Sequence, residues 1–393
     1  MSGLFTAAFL RRIGWQADVF ERSGVELVGR GVGITTHPEL LAALEASGAG
    51  AANLGVTVDR RIVLDRDGNV IAEKHLTQIL TSWDRLQRLL RGTIDPGQYH
   101  LGCNFERVER RGNGVRVHFS GGRFEDADIV VGGDGVRSSV RAQIMPQMQP
   151  IYAGYFIWRG TANEADLSPR ALKEVFPYFS FFLPPRQEVI CYPISGFNDD
   201  TRPGRRRFNF IWYRVADANS LRQMCVDDNG HQHEFSVPPP QIRKDLIATL
   251  RAQAQAGLPP ALDDCLRAIG QPFFTPIYDF IAPCIVSDCV ALVGDAASNA
   301  RPHMGFGVSK AACDAQALAD ALRDHDDIDR ALAQYNRIRQ PVGETIVKHG
   351  RRLGTHMGVD LQTEEDRAMH DLLQDHRAMM DWIAVPNFLD AYR

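Results

Sequence analysis

No stretch of this chain stays apolar for the roughly 20 residues needed to cross a bilayer. Its start has no basic segment followed by an apolar core of the secretory kind. The reading is a cytoplasmic protein with no membrane partner. Neither sign of charge dominates: 44 Lys and Arg stand against 48 Asp and Glu, a net charge of −4. Such a balance gives a polyanion little to hold, and nucleic acid is set aside as a partner. The seven cysteines are odd in number and lack C-x-x-C spacing, so neither a disulfide framework nor a zinc site is expected. Cys103, Cys191 and Cys313 lie in apolar or helical contexts and read as buried reduced thiols. Metal-ligand residues do not cluster, no Ser-His-Asp context occurs, and there is no internal repeat or low-complexity segment.

A further absence lies in a motif. Residues 1–22, MSGLFTAAFLRRIGWQADVFER, read as a helix over 3–13, a turn at Gly14, and a buried strand over 17–21 ending in Glu21. In a dinucleotide-binding fold such a stretch follows a first buried strand and a G-x-G-x-x-G turn. Gly3 falls where the third glycine belongs, whereas the first strand and the first two glycines are missing. The expectation is that the start of translation has been placed downstream of the true one, because losing a central strand would expose apolar faces and unpaired edges.

What is present is ordinary globular material, long enough at 393 residues for two packed units. A glycine-rich loop over 29–36 precedes a helix that opens at Pro38 and closes at Gly48. Residues 57–75 alternate as a hairpin around Asp67-Gly68, and Ser82 caps a helix over 83–91. Strands are expected at 115–119 and 129–131. After Pro150 the chain turns rich in aromatics, Arg and Pro (YAGYFIWRG, PYFSFFLPP, CYPISG, FNFIWYR). These segments read as sheet strands with one face lined by rings. Helices follow over 238–270, then a buried strand CVALV at 289–293, a helix over 308–323, and a helical tail. The fold class is α/β: a Rossmann-like nucleotide-binding domain split in sequence (1–150 and 276–393, the latter with the C-terminal helices), holding an inserted mixed-sheet domain at 151–275 that binds the substrate.

Three segments carry chemistry. Glu21, at a strand end about 20 residues after the glycine turn, suits the two ribose hydroxyls of an adenosine; alone it is also an ordinary solvated acid. In IVVGGDGVRSSVR (129–141) a strand enters a glycine turn bearing Asp134, where backbone can approach a phosphate or ribose closely; a tight turn with a capping Asp reads equally well. In CVALVGDAASNARPHMGFGVSK (289–310) a strand runs into Gly294-Asp295, then a loop with Pro302, Gly305 and Gly307, then a helix. The free N–H groups at that helix start suit a ring on which negative charge develops.

These segments together resemble the group A FAD-dependent aromatic hydroxylases, with the p-hydroxybenzoate hydroxylase fold. GGDGVRSSVR and GDAASNARPHMGFG match that family's second and third FAD motifs. YAGYFIWRG, CYPISG and FNFIWYR are similar to its hydroxypyridine-hydroxylating branch. The resemblance implies FAD as cofactor and NAD(P)H as co-substrate, allows a homodimer, and implies hydroxylation of an activated aromatic or N-heteroaromatic ring with O2 through a C4a-hydroperoxyflavin. It assigns Gly3, Glu21 and Arg22 to the ADP half of FAD, with Arg30 and Gly31 along the cofactor and Arg88 beside it. Asp134 and Gly135 belong to the shared FAD and NAD(P)H motif, Gly294 and Asp295 to the ribityl region, and Pro302, Gly305, Phe306 and Gly307 to the flavin ring. Trp83 stands where wider-family members carry Arg, a departure that weakens Arg88. His303, in the flavin-edge loop, and His37, after the glycine-rich loop, are candidate bases, though either also fits a structural role. Tyr192 and Tyr213 are candidates for a substrate hydroxyl, against the plainer reading as sheet core. The arginines at 202 and 205–207 read as a solvated hairpin, or as a contact for an NADPH phosphate. Two other functions stay open: a truncated relic that no longer holds FAD firmly, and a flavin reductase or epoxidase on an apolar substrate.

Overall fold

A computed structural model describes residues 1–27 and 32–389. Its first half contains α1 (Ser2–Arg12), β1 (Val19–Phe20), β2 (Gly33–Thr35), α2 (Pro38–Ser47), β3 (Val56–Leu64), β4 (Val70–Ser82), α3 (Trp83–Arg91), β5 (Tyr99–His100), β6 (Phe105–Arg111), β7 (Gly114–Phe119), β8 (Phe124–Ala127), β9 (Val130–Gly132) and α4 (Ser139–Ile144). The middle contains β10 (Ile151–Asn163), α5 (Pro169–Glu174), β11 (Phe179–Phe182), β12 (Gln187–Ile194), β13 (Arg207–Val215), α6 (Ala218–Met224), α7 (Lys244–Gly257), α8 (Pro260–Arg267) and β14 (Phe273–Ile281). The last part contains β15 (Val286–Ser287), β16 (Val290–Leu292), β17 (Ser298–Asn299), α9 (Gly307–Asp324), α10 (Ile328–Gly354), α11 (Glu364–Leu372) and α12 (His376–Trp382).

Local chemistry explains most boundaries. Helix α2 starts with Pro38 in its first turn, where no amide hydrogen is missed, and stops at Gly48 in the left-handed region. Ser82 accepts the Arg85 N–H and caps α3, as its position predicted. The strand expected over 17–21 is ordered as strand only at Val19–Phe20, because its ladder partner β5 is two residues long. Part of the glycine-rich segment pairs instead as β2, alongside the end of β4. Helix α12 stops at Trp382, and Ala384 beyond it adopts a left-handed φ of 48°.

The α/β character is divided between two regions. In one, β1–β5 and β9–β16 form short parallel ladders, β15 joins the second antiparallel, and helices α1 and α9 pack together beside them. In the other, a mixed nine-stranded sheet runs in the order β17-β14-β10-β13-β12-β11-β3-β4-β2. The β11–β3 pair is parallel, and β10, β12 and β13 pair antiparallel at its centre. Strands from residues 33–82 therefore continue the sheet formed by residues 151–299.

Rings were expected on one face of that sheet; they occur on both. Side chains alternate along a strand, so Phe156, Trp158, Phe210 and Trp212 share one face, where α7 and α8 cover them. Tyr155, Tyr192 and Tyr213 share the other, where Met304, Phe306 and the C-terminal helices close over them. Covering both faces lets a strand such as RFNFIWYRV be buried at seven consecutive residues.

The second cover is fastened by Arg61, fully buried on β3. Its guanidinium donates to the carbonyls of Ile383 and Ala384, each at 2.6 Å, and to Gln78 Oε1 at 2.8 Å. The ring of Phe179 lies beneath it, 4.7 Å away. Burial pushes the guanidinium pKa down to about 9. Replacing Arg61 by Met would leave the Ile383 carbonyl without its donor and the Ala384 carbonyl with Gln78 alone. We expect a loss of about 3 kcal/mol in urea unfolding together with faster amide exchange over residues 376–389. A wild-type midpoint would show that the arginine does not hold this cover.

Candidate active site

Two glycine turns meet at the first turn of α1. After β9, Gly133 lies so close to Gly3 that a Cβ there would sit 2.9 Å from the Gly3 nitrogen. After β16, Gly294 has φ of 61°, and any side chain there would run into Ser2 Oγ and Ala311. Glycine is the residue that tolerates both demands. Around these close approaches the backbone is open: a Cβ would meet nothing within 4 Å at Gly3 or Gly135, and only Asp295 Oδ1, at 4.0 Å, at Gly307. Helix α9 begins at Gly307 with no side-chain cap, so its first N–H groups are available to an acceptor. This glycine-walled opening, with an uncapped helix start on one side and Asp295 beside it, fits the phosphate and ribityl portions of a dinucleotide cofactor.

The turn at Gly294 is fixed by a buried ion group. Lys310 Nζ donates to Gly294 O and to Asp314 Oδ2, both at 2.8 Å. Asp314 also accepts the Gly294 N–H at 3.0 Å and Arg339 Nε at 2.8 Å. Burial works to raise the Asp314 carboxyl pKa, yet Lys310 and Arg339 prevail and hold it low. Asp295, one residue beyond the turn, is shifted upward by burial, with Lys310 opposing.

The loop at 302–306 turns back over the large sheet. Gly305 has φ of 63° and packs on Thr35, whose hydroxyl donates to the Gly305 carbonyl at 3.3 Å. His303 is buried. Its Nδ1 lies 2.8 Å from Glu188 Oε2 and its Nε2 lies 2.8 Å from the Tyr155 hydroxyl. A carboxylate can only accept, so Nδ1 carries the hydrogen toward Glu188, and Nε2 shares a hydrogen bond with the Tyr155 hydroxyl. The ring stacks on Tyr213 at 4.7 Å and 18°. His37, at the start of α2, is buried edge-on to Phe306 at 4.9 Å, with Ser309 Oγ 3.4 Å from its Nδ1. Burial, joined by the charge of Arg61, pushes its pKa down to about 4.

On the sheet face below this loop, cross-strand register sets Tyr192 opposite Asn209 and Tyr213 opposite Glu188. Arg159 on β10 pairs with Ile211, between those two rows. Asn209 Oδ1 accepts the Gly33 N–H at 2.8 Å, and its Nδ2 is buried without a partner among the described residues. Burial raises the Tyr192 and Tyr213 hydroxyls well above the usual tyrosine range, so both stay protonated.

The structure thus brings Gly3, Gly135, Gly294, Asp295 and Gly307 to one opening, and His303, Tyr192 and Tyr213 to the adjoining sheet face. The other residues named from the sequence have these places. Glu21 follows β1, accepts the Ser23 N–H through one oxygen at 2.8 Å and, with Asp295, faces the Met1 amine at the start of α1, while Arg22 is exposed. Arg88 is bound to Asp199, which Arg85 also holds. Asp134 is exposed and caps α4 through Ser139 N–H at 2.7 Å, the capping role that was its plainer reading. Pro302 opens the short 302–304 turn. Arg30 and Gly31 lie outside the described residues. In the basic run, Arg202 pairs with Asp200 and Arg206 with Glu164, both at 2.6 Å. Glu188, Tyr155, Arg159, Asn209, Lys310 and Asp314 were not singled out from the sequence. Strand periodicity put Tyr155 and Arg159 on one face, but only the strand order brings them to His303 and Tyr213.

A neutral buried His37 has a consequence in acid. Below about pH 6.5 the unfolded chain takes up a proton that folded His37 refuses until about pH 4. This residue therefore has no effect on stability above that window and lowers it as pH falls through it, by up to about 1 kcal/mol per pH unit. His37→Gln should flatten the fall in urea midpoint between pH 6.5 and 4; an unchanged slope would assign the acid sensitivity elsewhere.

Known proteins resemble this chain in sequence and in fold. A family model described as FAD binding domain-like matches residues 152–279. The 2,6-dihydroxypyridine 3-monooxygenase of Paenarthrobacter nicotinovorans is 28% identical over 363 residues, covering 91% of this chain and 89% of that protein. The 3-amino-4-hydroxybenzoate 2-monooxygenase of Streptomyces cremeus is 28% identical, covering 90% and 84%. The solved 2,6-dihydroxypyridine-3-hydroxylase from Arthrobacter nicotinovorans superposes with a TM-score of 0.85 at 26% identity, covering 91% and 90%. Klebsiella pneumoniae HpxO, solved with FAD and uric acid, shares the fold at a TM-score of 0.77 and 22% identity, covering 96% and 92%. With that fold, a glycine-walled opening suited to the cofactor, and relatives aligned along nine-tenths of its length, the chain is an enzyme of the FAD-dependent aromatic-ring monooxygenase class.

Proposed function

We propose that this enzyme hydroxylates a hydroxypyridine- or phenol-like ring held against the sheet face of Tyr192 and Tyr213, with NAD(P)H and O2 as co-substrates. The observation that carries the reading is the juxtaposition of two sites. The chain runs from the opening at Gly294 and Asp295 into the 302–306 loop, whose His303 stacks on Tyr213, on a buried face where Tyr192 and Tyr213 keep their hydroxyl protons. FAD, when bound, supplies the activation of dioxygen for transfer of one oxygen atom to the ring. We assign its cradle to those glycines and to Gly294, Asp295, Gly305 and Phe306, and keep the division into a split cofactor domain and a sheet domain. All seven cysteines are free, which supports a reducing, cytoplasmic setting.

The chain's own residues position and protect the ring. Tyr213 and Tyr192 donate hydrogen bonds to a ring oxygen. A ring closer to its phenolate form is attacked faster, so stabilising charge on that oxygen promotes the reaction. His303 has both nitrogens engaged; it fixes Tyr213 by stacking and ties Tyr155 to Glu188. His37, neutral around pH 7, packs Phe306 in place. Phe306 and Phe388, edge-on at 4.9 Å, keep water from the reacting face.

Two measurements test this. The purified chain supplied with FAD should show the visible spectrum of bound flavin, and failure to bind FAD would overturn the assignment of its cradle. Tyr213→Phe should lower kcat/KM for ring hydroxylation about tenfold, the loss of one hydrogen bond of roughly 1.4 kcal/mol. Oxidation of NAD(P)H without ring substrate should persist. A wild-type kcat/KM would remove Tyr213 from the site.

A further inference from the structure

The face of the large sheet turned away from the tyrosines is covered by α7 and α8, but the cover is incomplete. A cavity of about 220 Å³ remains between β10, the end of β13, α6 and α7. It is lined by the buried rings of Phe156 and Trp158, by Leu246 and Leu250, and by the exposed Thr249. An apolar cavity of roughly 150 Å³ holds one benzene ring, so this volume suits one ring with a polar substituent. Arg214 also lines it. It stands opposite Phe156 in the β10–β13 register, over the Trp212 ring at 4.7 Å. Its Nη1 donates to Gln253 Oε1 at 3.0 Å, a neutral acceptor. Burial lowers its pKa, and no carboxylate opposes that shift. Acids in the flanking segments are engaged elsewhere: Asp217 accepts the Ser220 N–H at 2.8 Å and Asp245 pairs with Arg243 at 3.0 Å. By contrast Arg206 and Arg301, also on or beside this sheet, each hold a carboxylate. One half-buried cation without a counter-charge therefore borders an apolar cavity.

We propose that this cavity is a second ligand site, separate from the ring site, and that it takes a small organic carboxylate whose apolar body is about one ring in size. Phe156, Trp158, Leu246 and Leu250 receive the body, and the Arg214 guanidinium receives the carboxylate. Charge and lining together select that occupant. A hydrocarbon would leave Arg214 without a counter-charge, and an inorganic anion would leave the apolar lining uncovered. A carboxylate matches the planar guanidinium through parallel N–H donors. Neighbouring side chains along β10 point to opposite faces, so Phe156 and Trp158 face this cavity while Tyr155 faces the ring site. The sheet itself lies between the two sites, and one molecule cannot fill both. The inference does not depend on which ring the enzyme hydroxylates.

Calorimetry on the FAD-supplied protein tests this without turnover, with benzoate as the probe and benzamide as its neutral counterpart. Benzoate should bind with a Kd of about 1 mM or tighter, and benzamide about tenfold more weakly. Arg214→Met should bring benzoate down to the affinity of benzamide, and Arg214→Lys should restore part of the difference. Thr249→Trp is a second, independent variant. Thr249 is exposed and its hydroxyl donates within its own helix, to Asp245 O, so an indole there should fill the cavity and abolish binding of both probes while the fold persists. Repeating the titrations with saturating 2,6-dihydroxypyridine separates the two sites. Benzoate binding that persists and depends on Arg214 belongs to this cavity. No benzoate binding, equal affinity for benzamide, unchanged affinity in Arg214→Met or in Thr249→Trp, or complete displacement by 2,6-dihydroxypyridine would each overturn the proposal. If Arg214-dependent binding is found but no ring is hydroxylated, this site stands and the proposed reaction fails instead.

Discussion

The buried ion group of Lys310, Asp314 and Arg339 is the joint on which the rest of the arrangement depends. One carboxylate receives the Gly294 N–H, the Lys310 ammonium and the Arg339 guanidinium, while Lys310 also donates to the Gly294 carbonyl. The exit of a parallel strand, the first turns of α9 and the middle of α10 are thereby tied at a single point. Such a group is stable inside a protein only when every member is satisfied, and here each partner is supplied by a different part of the tertiary structure. The turn it fixes carries Asp295, and the helix it anchors presents its uncapped start to the opening. A small displacement there would move the cofactor cradle as a whole.

The nine-stranded sheet shows how one scaffold separates stability from chemistry. Its two faces carry comparable numbers of rings but different polar content. On the face against α7 and α8, Phe156, Trp158, Phe210 and Trp212 pack with aliphatic side chains; Trp158 meets Phe274 edge-on at 5.5 Å. The other face admits Glu188, Arg159, Asn209 and three tyrosines among its apolar residues. Burying so many polar groups is unfavourable unless they are paired. His303 is paired on both sides, whereas Glu188 Oε1, Arg159 Nε and Asn209 Nδ2 have no partner among the described residues. That mixture of fully spent and unspent groups distinguishes a face built to receive a ligand from one built chiefly to pack.

Closure of that face is a long-range matter. The chain returns after residue 370 to lay α12 and the segment after it over strands formed three hundred residues earlier. Arg61 and Gln78 both donate to the Ala384 carbonyl, and the Ala384 N–H donates to His303 O at 3.0 Å. Phe388 then stacks on His349 at 4.8 Å and meets Phe306 edge-on. The 302–306 loop is held from below by the sheet and from above by the C-terminus, so His303 has little freedom to leave its two partners.

Much of the local structure was legible in the sequence because local rules decide it. Ser82 caps a helix, Pro38 opens one, Gly48 ends one, and Asp67-Gly68 turns a hairpin, each through backbone chemistry confined to a few neighbouring residues. The glycine-acid turns at 133–135 and 294–295 were visible for the same reason, and their resemblance to a flavin-enzyme family is matched by the fold. Strand pairing is different in kind: alternation fixes which residues share a strand face, but not which strand lies alongside. That is why residues 33–82 joined a sheet read as belonging to a later part of the chain, and why rings lie on both faces. Arg88 is spent on Asp199, and Asp134 on its own helix, because partners distant in sequence or in turn geometry were not readable from residue type. The sequence by itself determined the elements, the turns and the class of cofactor, since these rest on short-range backbone demands. Only the tertiary structure decided which polar side chains are paired and which are left open to a ligand, because pairing depends on burial and distance across strands that the linear order does not contain.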